Sequence, residues 1–233
     1  SDTYILAYGG YDAQTGWGQH IKTFKVKPDG TSIVEIGDLV HDTYYQVDNQ
    51  VSLVRIDVDT YAIAYYGYNQ PADNSWGGYI KTFTVNEGSI TEVAKYKHYT
   101  STVYDNSFIH VAGNTFALAW ADNAYDGNIT TFTISNDGAT ITEVASLEHD
   151  TNHGLHASFE QLDSDTYVLA YSGNAYDGFI KTFTIAADGA TITQVASLEH
   201  DEFYGVWNSL VRSNDNTFLL AYMGDGDDGY LKS

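Results

Sequence analysis

Trp17, Trp76 and Trp207 each stand among glycines or polar residues rather than inside an apolar run. Tyr44, Tyr45, Tyr104, Tyr125, His153, Tyr176 and Phe203 lie in similar segments, interleaved with Asp48, Asn49, Asn74, Asn123, Asn174 and Asn208. Flat rings beside amide and carboxylate acceptors suit sugars, whose C–H faces stack on a ring and whose hydroxyls need directional partners. The competing account is that these rings fill wedges between packed sheets. Clustered on one exposed face, they would instead mark a binding surface.

Catalysis has weaker support. Asp48, Asp105 and Asp201 occupy the same kind of segment, and paired carboxylates are the machinery of glycosidases. A catalytic site breaks the symmetry of a repeat, yet the main departures here are two longer segments, residues 9–18 and 67–78. There is no nucleophile elbow, no His-Glu-x-x-His pair and no phosphate loop. A hydrolase or lyase is therefore the lesser reading, and no cofactor is expected. Calcium at Asp225-Gly-Asp-Asp-Gly229 is the one candidate: it offers the oxygens a hard cation prefers, without the fuller alternating loop and its distal Glu.

Charge narrows the partners. The 233 residues carry 31 acidic and 10 basic side chains, a net −21, which repels phosphate backbones and anionic membranes. Nucleic acid is not an expected partner. No apolar run reaches the ~18 residues of a membrane span, so membrane insertion is not expected either. Without cysteine the chain has no disulfides and no thiolate metal sites.

The elements that must position the rings come from a repeat. Thr3-Tyr-Ile-Leu-Ala-Tyr8 returns at Thr60, Thr115, Thr166 and Thr217, at spacings of 57, 55, 51 and 51 residues. Each copy reads as a strand apolar on both faces, which needs a sheet on either side. In residues 157–200 a weakly alternating strand precedes it. A Gly/Asn/Asp loop follows, then Phe179-Ile-Lys-Thr-Phe-Thr-Ile185, a turn at Ala187-Asp-Gly189, and a polar fourth strand. The fourth strands end in His41, His98, His149 and His200. Copied sets of short strands at this period are the signature of a β-propeller. The expected fold is all-β: one domain over 1–233 of four-stranded antiparallel blades, with repeats at about 3–59, 60–114, 115–165, 166–216 and 217–233.

This pattern supplies 18 strands where five complete blades need 20, so the two end blades are incomplete. A five-bladed ring with a thin seam and a window on a longer array both fit. The latter opens self-assembly through the end blades, and with it a structural module of a surface adhesin, filament or matrix.

The register resembles that of WD40 propellers. Glu148-His149 precedes a first strand, Asp177-Gly178 leads into Phe179, and Phe183 stands near the family's Trp position; Asp126-Gly127 and Asp228-Gly229 repeat the turn. The likeness spans the chain loosely, since Phe replaces Trp, Thr follows where Asp should, and the first two repeats lack the Asp-Gly pair. It is similar to the divergent propeller repeats of secreted bacterial surface proteins, which implies a binding scaffold. It also implies a hydrogen-bond network joining His149 with Asp177, His200 with Asp228 and His98 with Asp126. Antiparallel order puts the second-to-third loop of each blade, and the connection to the next blade, on one face. The aromatic residues fall in those segments. The leading expectation is an extracellular or cell-surface, lectin-like binder of a glycan or other extracellular ligand.

Overall fold

The computed structural model describes residues 3–12, 16–43, 51–68, 74–214 and 217–233, with backbone alone for Asp12 and Gly16. Among them, 18 strands form five antiparallel sheets in a propeller arrangement, each sheet in plain chain order. The first sheet contains β1 (Thr3–Asp12), β2 (Gly16–Val26) and β3 (Ile33–Asp42). The second contains β4 (Ser52–Arg55), β5 (Thr60–Tyr68), β6 (Trp76–Asn86) and β7 (Ser89–Tyr99). The third contains β8 (Tyr104–Ala112), β9 (Thr115–Ala121), β10 (Gly127–Ile134) and β11 (Ile141–Asp150). The fourth contains β12 (Leu155–Gln161), β13 (Thr166–Ser172), β14 (Gly178–Ile185) and β15 (Ile192–Asp201). The fifth contains β16 (Val206–Asn214), β17 (Thr217–Met223) and β18 (Gly229–Lys232). They gather into two compact units, Ser1–Thr102 with Ser135–Ile141, and Val103–Ile134 with Thr142–Ser233.

The repeated Thr-aromatic motif forms β1, β5, β9, β13 and β17. β9 is buried along its whole length and β13 everywhere but its first residue, as a strand covered on both faces must be. In β1, Tyr4 and Leu6 are exposed. Within the second unit, β8, β12 and β16 lie beside one another. The first strand of each blade in this unit is therefore innermost, and β15, exposed along most of its length, is an outer strand. Phe159, Tyr167, Leu169, Tyr171 and Phe183 fill the core of this unit; Ile21, Ile63, Tyr65, Tyr79 and Phe83 fill that of the first.

Ties between neighbouring blades recur at both ends. The threonine of Ile-Lys-Thr-Phe reaches the following hairpin turn: Thr82 Oγ1 donates to Gly138 O at 2.7 Å, and its counterpart Thr131 Oγ1 donates to Gly189 O at 2.8 Å. At the opposite end the Asp after the repeated histidine accepts from a Tyr and lies beside a Lys of the next blade. Tyr171 Oη donates to Asp150 Oδ2 at 2.8 Å, with Lys181 Nζ 3.7 Å from that oxygen and donating to His149 O at 2.5 Å. Asp201, Tyr222 and Lys232 repeat the arrangement, at 2.8 and 3.6 Å. In the first unit Lys81 Nζ donates to His41 O at 2.5 Å, while Asp42 Oδ2 accepts from Tyr68 N at 3.1 Å.

His149 and His200 do not form the network that the resemblance implies. The ladder slips one residue between Gly178/Phe179 and Asp201/Glu199, so His200 is the extra residue of a β-bulge; His41 and His98 sit in equivalent slips. His149 packs edge-on against Tyr171 (4.8 Å between centroids) and Phe183 (6.0 Å) of the next blade. Neither ring nitrogen of His41, His149 or His200 has a hydrogen-bonding partner. The ring of His149 lies on Gly127 and that of His200 on Gly178, the glycine of its own blade's Asp-Gly turn, rather than on Asp177 or Asp228 of the next blade.

Candidate ligand-binding face

Of the expected site residues, the structure brings four together. In the second unit Tyr104, Tyr125, His153 and Tyr176 form a continuous row with Tyr204. Successive centroids are 5.3, 5.7, 5.0 and 5.9 Å apart. The row alternates between second-to-third-strand turns, which carry Tyr125 and Tyr176, and blade-to-blade connections, which carry His153 and Tyr204.

Local hydrogen bonding sets each ring in place. Asp122 Oδ1 accepts from Ala124 N (2.7 Å) and Asp126 N (3.0 Å), which closes the turn beneath Tyr125. Asp150 Oδ1 takes Asn152 N and His153 N, at 3.1 and 3.2 Å, and Asp201 Oδ1 takes Phe203 N and Tyr204 N, both at 3.2 Å. The same carboxylates that join blades thus shape the connections holding the rings. Gly154 N donates to Tyr125 O and Gly205 N to Tyr176 O, each at 2.8 Å, clamping turn to connection. His153 Nδ1 donates to Gly173 O at 2.7 Å, which leaves Nε2 as the ring nitrogen open to a ligand. Tyr125 and Tyr176 hold φ of 72° and 70°, in the left-handed region that costs a tyrosine energy, and remain 44% and 45% exposed.

A second set of side chains lies on the innermost strands. β8, β12 and β16 each carry a bulge ahead of a matched serine, Ser107, Ser158 or Ser209. The bulge residues are Asp105, His156 and Trp207, all left-handed, with φ of 52°, 56° and 54°. Asp105 is buried and its Oδ2 accepts from His156 N at 2.7 Å. The His156 and Trp207 rings are 4.3 Å apart, and Trp207 is 51% exposed. Ser172 Oγ donates to Gly205 O at 2.7 Å, so its contact with His156 Nδ1 at 3.0 Å has the imidazole as donor. Burial, with His153 nearby, pushes the pKa of His156 down to about 4. His156 is therefore neutral near pH 7 and carries its lone pair on Nε2.

The other expected residues are placed differently. Trp207 and Tyr104 belong to strands rather than loops. Phe203, in its connection, is 75% exposed. Trp17 and Trp76 lie in the first unit, on segments expected as long loops that are mostly ladder: β1 pairs with β2 out to Asp12↔Gly16, and β5 with β6 out to Tyr68↔Trp76. Trp17 meets Tyr11 edge-on at 5.5 Å and is exposed. Trp76 is half-buried, stacked on Tyr66 at 5.3 Å and tilted against Tyr68 at 5.1 Å, so much of its area goes into packing. Tyr44, Tyr45 and Asp48 lie outside the described residues. The acidic stretch at 225–229 folds as the same short 3-10 turn as Asn174–Tyr176, and among the described residues no three His, Asp or Glu are grouped to hold a metal. No described helix is long and apolar enough to cross a membrane.

His156 and Asp105 complete the inner set, and their role is not evident from either residue alone. The usable signal was the 51-residue spacing of Asp105-Asn-Ser, His156-Ala-Ser and Trp207-Asn-Ser, where one variable position precedes a constant serine.

The sheets and their order make this chain a divergent β-propeller. No family model matches it, and neither does any curated protein. Solved structures that it resembles include Sqt1 from Chaetomium thermophilum, at 16% identity and TM-score 0.52, over 79% of this chain and 44% of that one. An endo-arabinase from Bacteroides thetaiotaomicron matches at 14% identity and TM-score 0.51, over 99% and 92% of the two chains. The NanB sialidase from Streptococcus pneumoniae matches at 9% identity and TM-score 0.58, over 91% and 34%. At these identities the likeness is one of fold, and the chain spans less than half the length of the Sqt1 structure.

Proposed function

We propose that the protein is an extracellular or cell-surface binding propeller that takes carbohydrate across the ring row of its second unit. The observation that carries this reading is the row itself: five rings spaced 5.0–5.9 Å apart along the third and fourth blades and the connections after them, with Tyr125 and Tyr176 nearly half exposed. Exposed tyrosines kept in left-handed backbone are costly unless something uses them. Their hydroxyls and the His153 Nε2 supply directional polar partners beside the apolar ring faces, the combination that a sugar requires. The wider surface, at net −21, favours a ligand that is neutral over one that is anionic.

A glycan array followed by calorimetry tests this. Tyr125→Ala and Tyr176→Ala should each weaken the best ligand about tenfold, or about 1.4 kcal/mol. Absence of binding to every neutral and acidic glycan would overturn the reading. Release of reducing ends from a polysaccharide, stopped by one carboxylate substitution, would replace it with a hydrolase.

A further inference from the structure

We propose that Asp105, His156 and Trp207 form a specificity-determining subsite, in which a sugar ring stacks on the open face of Trp207 and donates a hydroxyl to His156 Nε2. This rests on the carbohydrate reading above and deepens it.

Three equivalent bulges on three neighbouring strands hold non-glycine residues at φ of 52–56°. A left-handed residue with a side chain costs roughly 1–2 kcal/mol. Glycine would remove that cost, yet each copy keeps a large or charged side chain. The flanking serines are structural and constant: Ser107 Oγ accepts from Phe159 N at 3.0 Å and Ser158 Oγ from Leu210 N at 2.9 Å, fixing each inner strand to the next. The repeat thus holds the backbone and varies one side chain.

Asp105 holds the His156 backbone and Ser172 holds its Nδ1–H, so the imidazole presents a fixed tautomer with an acceptor at Nε2. The Trp207 indole is tilted at 49° against that imidazole, and half of the residue remains open. A flat apolar face next to a neutral, oriented acceptor fits a ligand with an apolar ring face and an O–H at its edge. Tyr176 and Tyr204 reach the same blade connection as Trp207, because Gly205, which accepts from Ser172, donates to Tyr176 O. The subsite is thereby built onto the row.

The test uses the best array ligand and its monodeoxy analogues, with binding and melting temperature read together. Trp207→Gly should cut affinity at least tenfold while leaving the melting temperature unchanged or raising it by about 2–4 °C, through relief of the left-handed strain. His156→Phe should abolish the protein's discrimination against one monodeoxy analogue, whereas Tyr125→Ala should weaken all analogues alike. If the glycan binds but both inner variants keep wild-type affinity and discrimination, the subsite is wrong and the ring-row reading stands. A fall in melting temperature with unchanged binding makes Trp207 a packing residue and overturns the subsite. If no glycan binds at all, both fall together.

Discussion

Lys181 keeps its charge inside the fold. Its side chain is largely buried, its Nζ donates to a backbone carbonyl and faces the Asp150 carboxylate at 3.7 Å, and it lies 5.2 Å from the Tyr171 centroid. A buried charge persists only when it is paired and hydrogen-bonded. Burial alone would raise the Asp150 pKa, but the Tyr171 hydroxyl, two backbone N–H groups and Lys181 outweigh it and hold the carboxyl below its ordinary value. Asp150→Ala should therefore cost about 3 kcal/mol, because it leaves the ammonium uncompensated. Adding Lys181→Met should recover most of that loss in urea melts. Simple additivity of the two losses would mean the residues do not act as a unit. The chain contains its own control: one repeat carries Tyr99, Trp120 and Thr130 at the matching positions, all three changed at once, and there Trp120 Nε1 donates to Thr130 Oγ1 at 3.0 Å. Side chains that are replaced together are read most simply as one device.

Strands were the most legible elements. The Thr-aromatic motif, with apolar residues on both faces, specifies a covered strand, and Asp-Gly and Asn-Asp-Gly specify tight turns; the ladders follow that reading closely. Bulges left no such mark. Alternation says which face a residue takes, but a bulge moves one residue without altering composition, so Trp207, read as a loop residue, and His200, read as a plain strand end, are each the extra residue of a bulge. The candidate site was legible for the same reason only in part: ring types and loop membership gave the row, whereas the αL bulge positions needed coordinates. The bulge also explains why the glycine of the Asp-Gly turn is needed. A methyl built at Gly178 would lie 2.4 Å from His200 Cε1. Gly178→Ala should destabilise the protein by about 1–3 kcal/mol, the usual cost of overpacking. In the His200→Ala background the same substitution should cost far less. Equal costs in both backgrounds, measured by thermal melts, would rule out the histidine ring as the obstacle.

Acid stability is a property of the entire chain and pits two effects of opposite sign. With net −21, protonating surface carboxylates relieves self-repulsion, so mild acid would stabilise the fold if that term dominated. The buried histidines oppose this. Burial pushes His98 and His149 down to about 3, Lys181 adding to the effect on His149, and holds His41 well below its ordinary value. A base with a depressed folded-state pKa is neutral when folded and takes up a proton on unfolding at any pH below about 6.5. Its contribution is complete above that pH and disappears as pH falls toward 3. At pH 5 each fully buried histidine has removed about 2 kcal/mol, on the order of a fifth of a typical domain's stability. Surface carboxylates are still mostly ionised at pH 5, and their repulsion is screened at ordinary salt. The histidines should therefore win: the melting temperature stays level from pH 8 to 7 and falls steadily below 6.5. His149→Phe should flatten that fall by about 2 kcal/mol at pH 5. A melting temperature that rises between pH 7 and 5, and rises further with added salt, would show instead that charge repulsion sets the acid response.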